Sequence, residues 1–491
     1  MGHKKRTIIS DIFKYTLAQY SSQALGFFTA VLIRRFLGPF ATGIWNILKV
    51  VIDYSSYTNL GTTSTVTYKL PIARGRGENE EANNLSKVVF NFVSITTFFC
   101  SVGIVIYALI SRKVLSWEIF TGLLAVSVIL LSQRVFSYYV VLLRANKDFT
   151  VLSKSIVFDA IANLSLIILI VSKFKLYGFY VVAILMPILN VFFIRRYVTY
   201  GLKFSLYFKG LFAYIKYGFP LFVAGILDEI LNSIDKIMIV SMLGLEQLGF
   251  YSIALMAKSY GTGVSKNFSI VIQPYFLGDF GKNGITKSSK HVLIYSQVTA
   301  YFMAILLSLI FITAPAFILY VLPKFTPGIN AMRIFLLAIF FLTISSYPNN
   351  FLVAMEKQTV LIPIVSVSIL VNIFLNYIFI KSGYGISGVA LATSISAFVS
   401  FFIISLYALK HSEKMIGILK FFVIVLFPLA YCFFILKVIS LFSFSCSVII
   451  DAIFKAIVFV LFSLPLIFYI NRKTGIVRIL TDIILQKIRR S

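Results

Sequence analysis

Leu37-Gly38-Pro39-Phe40-Ala41-Thr42-Gly43-Ile44-Trp45-Asn46-Ile47 has a second copy in the same chain. It is Leu243-Gly244-Leu245-Glu246-Gln247-Leu248-Gly249-Phe250-Tyr251-Ser252-Ile253, displaced by 206 residues. Two further anchors lie at nearly the same offset. Ala145 with Thr150-Val151-Leu152 matches Ala354 with Thr359-Val360-Leu361, and Lys175-Leu176-Tyr177-Gly178 with Ala183 matches Ser382-Gly383-Tyr384-Gly385 with Ala390. Self-similarity at a fixed spacing marks an internal duplication. The repeated unit is about 207 residues long.

Composition says what is repeated. Of 491 residues, 59% are hydrophobic and only 13% are charged. Soluble chains are roughly 45–50% apolar and roughly 25% charged. A water-facing surface cannot be built from this pool, which excludes a soluble enzyme, a disordered chain and a fibre. At about 20 apolar residues per span, the chain holds about fourteen transmembrane helices. They are expected near 16–36, 42–66, 88–110, 117–143, 150–172, 176–194, 213–242, 247–276, 292–322, 327–353, 358–380, 385–409, 417–440 and 447–470. The predicted class is an all-α polytopic membrane protein. It has two six-helix lobes, residues 1–212 and 213–411, in parallel duplication. Residues 412–491 add two spans and an amphipathic tail around 476–484 that lies on the membrane surface. Six spans per copy is an even number, so both copies enter from the same side. They are related by an axis along the membrane normal, an arrangement suited to rocking around a central cavity.

The net charge of +28 is mostly topology. With the N-terminus in the cytoplasm, the inner segments and their flanking turns carry 29 Lys and Arg, and the outer segments carry eight. This bias places both termini in the cytoplasm of a cell-membrane protein. Nucleic acid is not an expected partner, because no polar domain exists to carry it. The start of the chain lacks the small-residue cleavage site of a signal peptide. The longest loop, near Leu70–Lys87, is about twenty residues, too short for an extramembrane catalytic domain. The cysteines Cys100, Cys432 and Cys446 have neither metal nor disulfide spacing, and the three histidines fall outside the spans. No metal or cofactor is expected, and the chain is not read as an enzyme.

Charges inside spans are costly, by about 2.5–3.5 kcal/mol at mid-bilayer on insertion scales, and normally face a cavity. Lys49 and Asp53, like Asp451 and Lys455, are four apart and share a helix face; self-neutralisation is one reading of each pair. Arg134, Lys258, Lys266 and Arg333 have no local partner. Together with Lys49 they are candidates for a cationic cavity that takes a phosphate group. The alternative is cross-helix pairing with Asp159, Asp228 or Asp235. Asp228 and Asp235, seven apart on one face, are with Asp159 and Asp53 the candidates for coupling to H⁺ or Na⁺ or for the interface between lobes.

Three stretches carry a family resemblance. Lys216-Tyr217-Gly218-Phe219-Pro220-Leu221, Ser233-Ile234-Asp235-Lys236 and Leu243-Gly244 with Leu248-Gly249-Phe250-Tyr251-Ser252 resemble the seventh-to-eighth-span signature of polysaccharide flippases. These are the Wzx-like exporters of O-antigen and teichoic-acid units. They belong to the multidrug/oligosaccharidyl-lipid/polysaccharide (MOP) exporter superfamily, which also holds the MATE drug exporters. Arg35-Phe36-Leu37-Gly38-Pro39 and Tyr384-Gly385-Ile386-Ser387-Gly388-Val389-Ala390 resemble that family's first turn and its entry to span 12. The resemblance implies movement of a polyprenyl-diphosphate-linked oligosaccharide to the outer leaflet, alongside glycan polymerase or transferase partners. It implies that the unpaired cations meet the diphosphate, that Asp235 lies between the lobes, and that spans 13 and 14 help form a groove for the lipid tail. Two other readings are a MATE-type drug/cation antiporter, which needs an acidic cavity, and an integral-membrane polysaccharide polymerase, which needs a large outer loop.

Overall fold

The computed structural model describes residues 2–198, 204, 207–355, 357–410, 413–442 and 447–474. Within them it describes the side chains of 14–198, 204, 207–263, 292–353, 355, 357, 359–410, 413–442 and 447–472. Among the described residues thirteen α-helices follow one another and there is no strand. They are α1 (Gly2–Ser55), α2 (Thr62–Gly75), α3 (Asn79–Ile110), α4 (Trp117–Ala145), α5 (Phe149–Leu166), α6 (Ser172–Arg195) and α7 (Leu211–Met242). After these come α8 (Leu245–Val321), α9 (Ile329–Ala354), α10 (Leu361–Lys381), α11 (Gly385–Leu409), α12 (Met415–Ser440) and α13 (Val448–Thr474). The chain is a multi-pass membrane protein: eleven helical stretches in the described residues are long and apolar enough to cross a bilayer.

Two of those stretches, Lys14–Asn59 with 46 residues and Phe149–Arg195 with 47, are each about 70 Å long at 1.5 Å per residue. That is more than twice a hydrocarbon core of about 30 Å. Each breaks internally. The first breaks at Gly38 (φ 75°, ψ 177°), where glycine tolerates the positive φ and Pro39 pushes its predecessor out of the helical region. The second breaks at Lys175 (φ 49°, ψ −124°), shortly after a π-helical stretch over Ile167–Val171. Both breaks fall where turns between successive spans are expected.

Two expectations need correction. The second span was expected to run to residue 66, but α1 ends at Ser55 and a short 3₁₀ turn, Ser56–Asn59, follows. The polar run here competes with the helix for its own carbonyls. Ser56 Oγ donates to the Asp53 carbonyl at 2.7 Å, Thr58 Oγ1 to Ser55 at 2.9 Å and Asn59 Nδ2 to Ser56 at 2.8 Å. Leu60 and Gly61 then take left-handed conformations. The second correction is the loop near Leu70–Lys87, which is largely helical because α2 runs to Gly75 and α3 starts at Asn79. The expected surface helix around 476–484, and Cys446, lie outside the described residues.

By packing the chain divides into Met1–Gly249 and Phe250–Ser491. The first unit buries Ile44, Leu48 and Ile52 of α1 against Leu123, Val126 and Leu130 of α4 and Leu176 and Tyr180 of α6. A second cluster joins α2, α3 and α4 through Val66, Leu70, Leu85, Val89 and Tyr138. In the second unit, Phe351 of α9 packs with Ile364 of α10 and Ile404 and Ala408 of α11. Lipid tails are as apolar as these side chains, so close van der Waals packing and small residues, rather than expulsion of water, hold such helices together.

Candidate functional site

The first unit holds a seam in which α7 runs antiparallel to the second half of α1 and to α2. Near one end Thr65 Oγ1 of α2 donates to the Tyr214 carbonyl of α7 at 2.8 Å. Beside it Gly61 and Gly218 meet backbone to backbone: a Cβ on either would overlap the other's carbonyl. The Tyr57 hydroxyl donates to the Gly225 carbonyl at 2.8 Å, and the Tyr54 hydroxyl pairs with Ser233 Oγ at 2.9 Å.

At the far end the two copies of the repeated motif meet each other. A Cβ on Gly43 would overlap the Leu245 carbonyl, and a Cβ on Gly249 would overlap the Pro39 carbonyl. The glycine that recurs in both copies is therefore required where each copy's helix start crosses the other's backbone. Gly38, which also recurs, supplies the turn.

Between these glycine contacts lies a charged segment. Half-buried Asp53 is within electrostatic reach of Lys49 on its own helix and of Lys236 on α7. Glu229 is within reach of Asp53, Lys236, Asp228 and Lys49. Lys49 and Asp228 are exposed. Asn232 Nδ2 donates to the Asp228 carboxylate at 3.2 Å. Asp235, two residues beyond Ser233, is buried at 5% exposure, so the two aspartates seven apart on α7 have different surroundings. Three carboxylates and two ammonium groups converge here from two helices. Lys49 and Asp53 are thus part of a larger cluster rather than an isolated pair. Glu229, Lys236, Tyr54 and Tyr57 complete it; the sequence shows the first two as charges within a span without assigning them a role, and for the tyrosines Tyr54-Ser55-Ser56-Tyr57 inside an apolar span is the visible signal.

The other candidates are dispersed. Arg134 of α4 is committed to its neighbours: Nε donates to Thr97 Oγ1 at 2.8 Å, and Nη2 donates to the carbonyls of Ser55 and Ser56 at 3.3 and 3.4 Å. It thereby caps the C-terminal end of α1, where the helix dipole favours a cation. Asp159 of α5 accepts from Asn190 Nδ2 of α6 at 2.6 Å. In the second unit Lys258 of α8 lies 6.0 Å from the Phe335 ring centroid, and Arg333 of α9 stacks on Phe311. The side chain of Lys266 lies outside the described residues. Asp451 and Lys455 of α13 form an ion pair at 2.7 Å.

The second unit also carries a polar network within its core. Asn372 and Asn376 of α10, one turn apart and fully buried, are joined at 3.0 Å. Asn372 Nδ2 reaches Thr393 Oγ1 and Ser396 Oγ of α11 at 3.5 and 3.4 Å.

Residues 32–324 match the family model described as "Polysaccharide biosynthesis protein". The chain belongs to that family. Among solved structures, the lipid II flippase MurJ in an inward closed conformation superposes with a TM-score of 0.71 at 18% identity, over 94% of this chain and 99% of that one. An inward-facing multidrug resistance MATE transporter of the MOP superfamily gives 0.62 at 15% identity, over 81% and 96%. A MOP superfamily transporter from Pyrococcus furiosus, described as having a binding pocket of reverse polarity, gives 0.55 at 14% identity, over 82% and 93%. The fold is that of these transporters. No curated protein matches by sequence.

Proposed function

We propose that this polysaccharide-biosynthesis family member is a flippase. It carries a polyprenyl-diphosphate-linked oligosaccharide from the cytoplasmic to the outer leaflet of the cell membrane, for cell-surface polysaccharide synthesis. Fourteen spans in two six-helix lobes, 1–212 and 213–411, with two helices added in 412–491, alternate access to a central site, and both termini are cytoplasmic.

The observation that carries this reading is the α1–α7 seam. Its ends are closed by backbone contact, while its middle holds charge that an apolar span would exclude at lower cost. An anionic head group crossing a bilayer needs cations along its path, and Lys49 and Lys236 supply them in this seam. Arg134 holds the end of α1 in place beside that path. Asp53, Asp228, Glu229 and Asp235 serve as the carboxylates that take up H⁺ or Na⁺ as the seam opens, while Asp159 fixes α5 against α6. The MATE-type alternative, whose cationic substrates call for an acidic cavity, is separated from this reading by the substrate test below.

The test is reconstitution in vesicles with a polyprenyl-diphosphate oligosaccharide in one leaflet, followed by an impermeant enzyme that modifies only outward-facing glycan. Wild type is expected to expose the glycan. Lys49→Ala with Lys236→Ala should slow exposure at least about tenfold, the scale of one lost charge-assisted hydrogen bond, at unchanged protein level. Equal exposure with and without the protein, or export of a cationic dye in its place, would overturn the reading.

A further inference from the structure

Arg333 sits in the second turn of α9 and opens into a groove of about 440 Å³ formed by α8, α9 and α12. The walls are apolar, with Leu307 and Phe311 from α8, Leu337 from α9, and Leu429 and Phe433 from α12; Arg333 is the only charged residue among those lining it. Its guanidinium lies 4.6 Å from the Phe311 ring centroid, and Nε donates to the Phe311 carbonyl at 3.4 Å. The two terminal nitrogens have no hydrogen-bond partner among the described residues. A guanidinium left in this condition inside a span is costly, and no described acid neutralises it.

We infer that this groove is a binding site for one anionic phospholipid of the surrounding bilayer, with its phosphate on Arg333 and an acyl chain along α12. The chemistry narrows the occupant. A free anion would leave the apolar groove empty, and a neutral lipid would leave the guanidinium unpaired. An amphiphile with one negative charge satisfies both. A diphosphate carries more charge than one arginine balances, so the fit is to a phosphodiester rather than to a flippase substrate. Arginine's planar fork can hold two phosphate oxygens while its stem and the Phe311 face stay in the apolar zone. The groove is built partly from α12, a helix outside the duplicated part of the sequence. The added helix thereby completes a lipid site that the two lobes alone would lack.

The experiment is native mass spectrometry of the full chain released from nanodiscs of phosphatidylcholine mixed with phosphatidylglycerol. Wild type should retain one phosphatidylglycerol with about tenfold preference over phosphatidylcholine, the scale of one charge-assisted hydrogen-bonded pair. Arg333→Gln should abolish the preference. Leu429→Trp, which fills the groove and leaves the arginine in place, should lower retention of both lipids. Equal retention by wild type and Arg333→Gln, or by the two lipids, would overturn the assignment. Displacement of the bound phosphatidylglycerol by an equal amount of added polyprenyl diphosphate would overturn it in favour of the transported lipid. Because the readout is lipid retention, it can fail while glycan exposure stands, and the reverse.

Discussion

The ends and the middle of the α1–α7 seam are built on opposite principles. At the Gly43–Gly249 end and again at the Gly61–Gly218 end, backbone touches backbone and no side chain intervenes. Between them the helices are separated by Tyr54, Tyr57, Asp53 and Glu229, and the contacts run through hydroxyls and charges. A glycine crossing has one solution, because a single added carbon destroys it. A hydroxyl bridge can be remade by water with little loss. The seam is therefore rigid in register at its ends and exchangeable in its middle, which is what the proposed head-group path between apolar helices would require.

The comparison breaks most visibly at Gly249. Gly249→Leu, and Gly43→Leu, should destabilise the protein by more than about 4 kcal/mol, the range reserved for severe overpacking, with loss of protein from the membrane. Gly103→Leu on α3, where an added Cβ meets nothing within 4 Å, is the control and should be neutral. Thermal unfolding in detergent with membrane abundance reads both. A stable Gly249→Leu protein would mean that the crossing is loose.

How much of this was open to sequence reasoning follows from the same glycines. The motif pair Leu37–Ile47 and Leu243–Ile253 was legible as a repeat because glycine is identical in both copies where the backbone demands it. The fact that the copies pack on each other was not legible, since spacing carries no information on which helix a face meets. Gly61 opposite Gly218 was hidden for a further reason: the two glycines are not repeat-related, and each taken alone reads as an ordinary small residue. Among the charges, position inside a span was legible and partnership was not. Arg134 reads as unpaired because its acceptors are main-chain carbonyls and a threonine hydroxyl, which every segment possesses. The same limit applied to Asp159, whose partner Asn190 lies 31 residues away on the next helix. The end of α1 at Ser55 was missed because the hydropathy of Ser-Ser-Tyr-Thr-Asn does not reveal that these side chains capture backbone carbonyls.

Beside the seam, Arg134→Gln should cost about 2 kcal/mol, within the range of about 1.5–3 for hydrogen bonds to a charged group, seen as a lower unfolding temperature. Thr97→Val removes one acceptor and should cost less. If Arg134→Gln melts like wild type, the arginine is not what holds the end of α1. Glu229→Gln and Asp53→Asn should leave abundance unchanged and slow glycan exposure about tenfold, equivalent to about 1.4 kcal/mol. Wild-type rates in both would make the charged segment structural, and its contrast with the glycine ends would lose its functional meaning.

The smallest effect is the most discriminating. Tyr57→Phe removes the hydroxyl that donates to the Gly225 carbonyl and leaves the ring against Phe222. Gly225 lies inside α7, so its carbonyl also accepts the helical N–H four residues on and is not orphaned. The loss should therefore fall at the low end of a net hydrogen bond, about 0.5 kcal/mol. Under the proposed function, that bond is made only while the seam is closed. Removing it shifts the balance between closed and open seam by about a factor of two toward the open form. Glycan exposure should then rise modestly, if opening limits the rate, while every other substitution described above lowers it or leaves it unchanged. Tyr54→Phe, whose partner Ser233 keeps a second bond to the Glu229 carbonyl at 2.7 Å, should behave the same way. A fall in both would mean that the tyrosines contact the substrate rather than latch the helices.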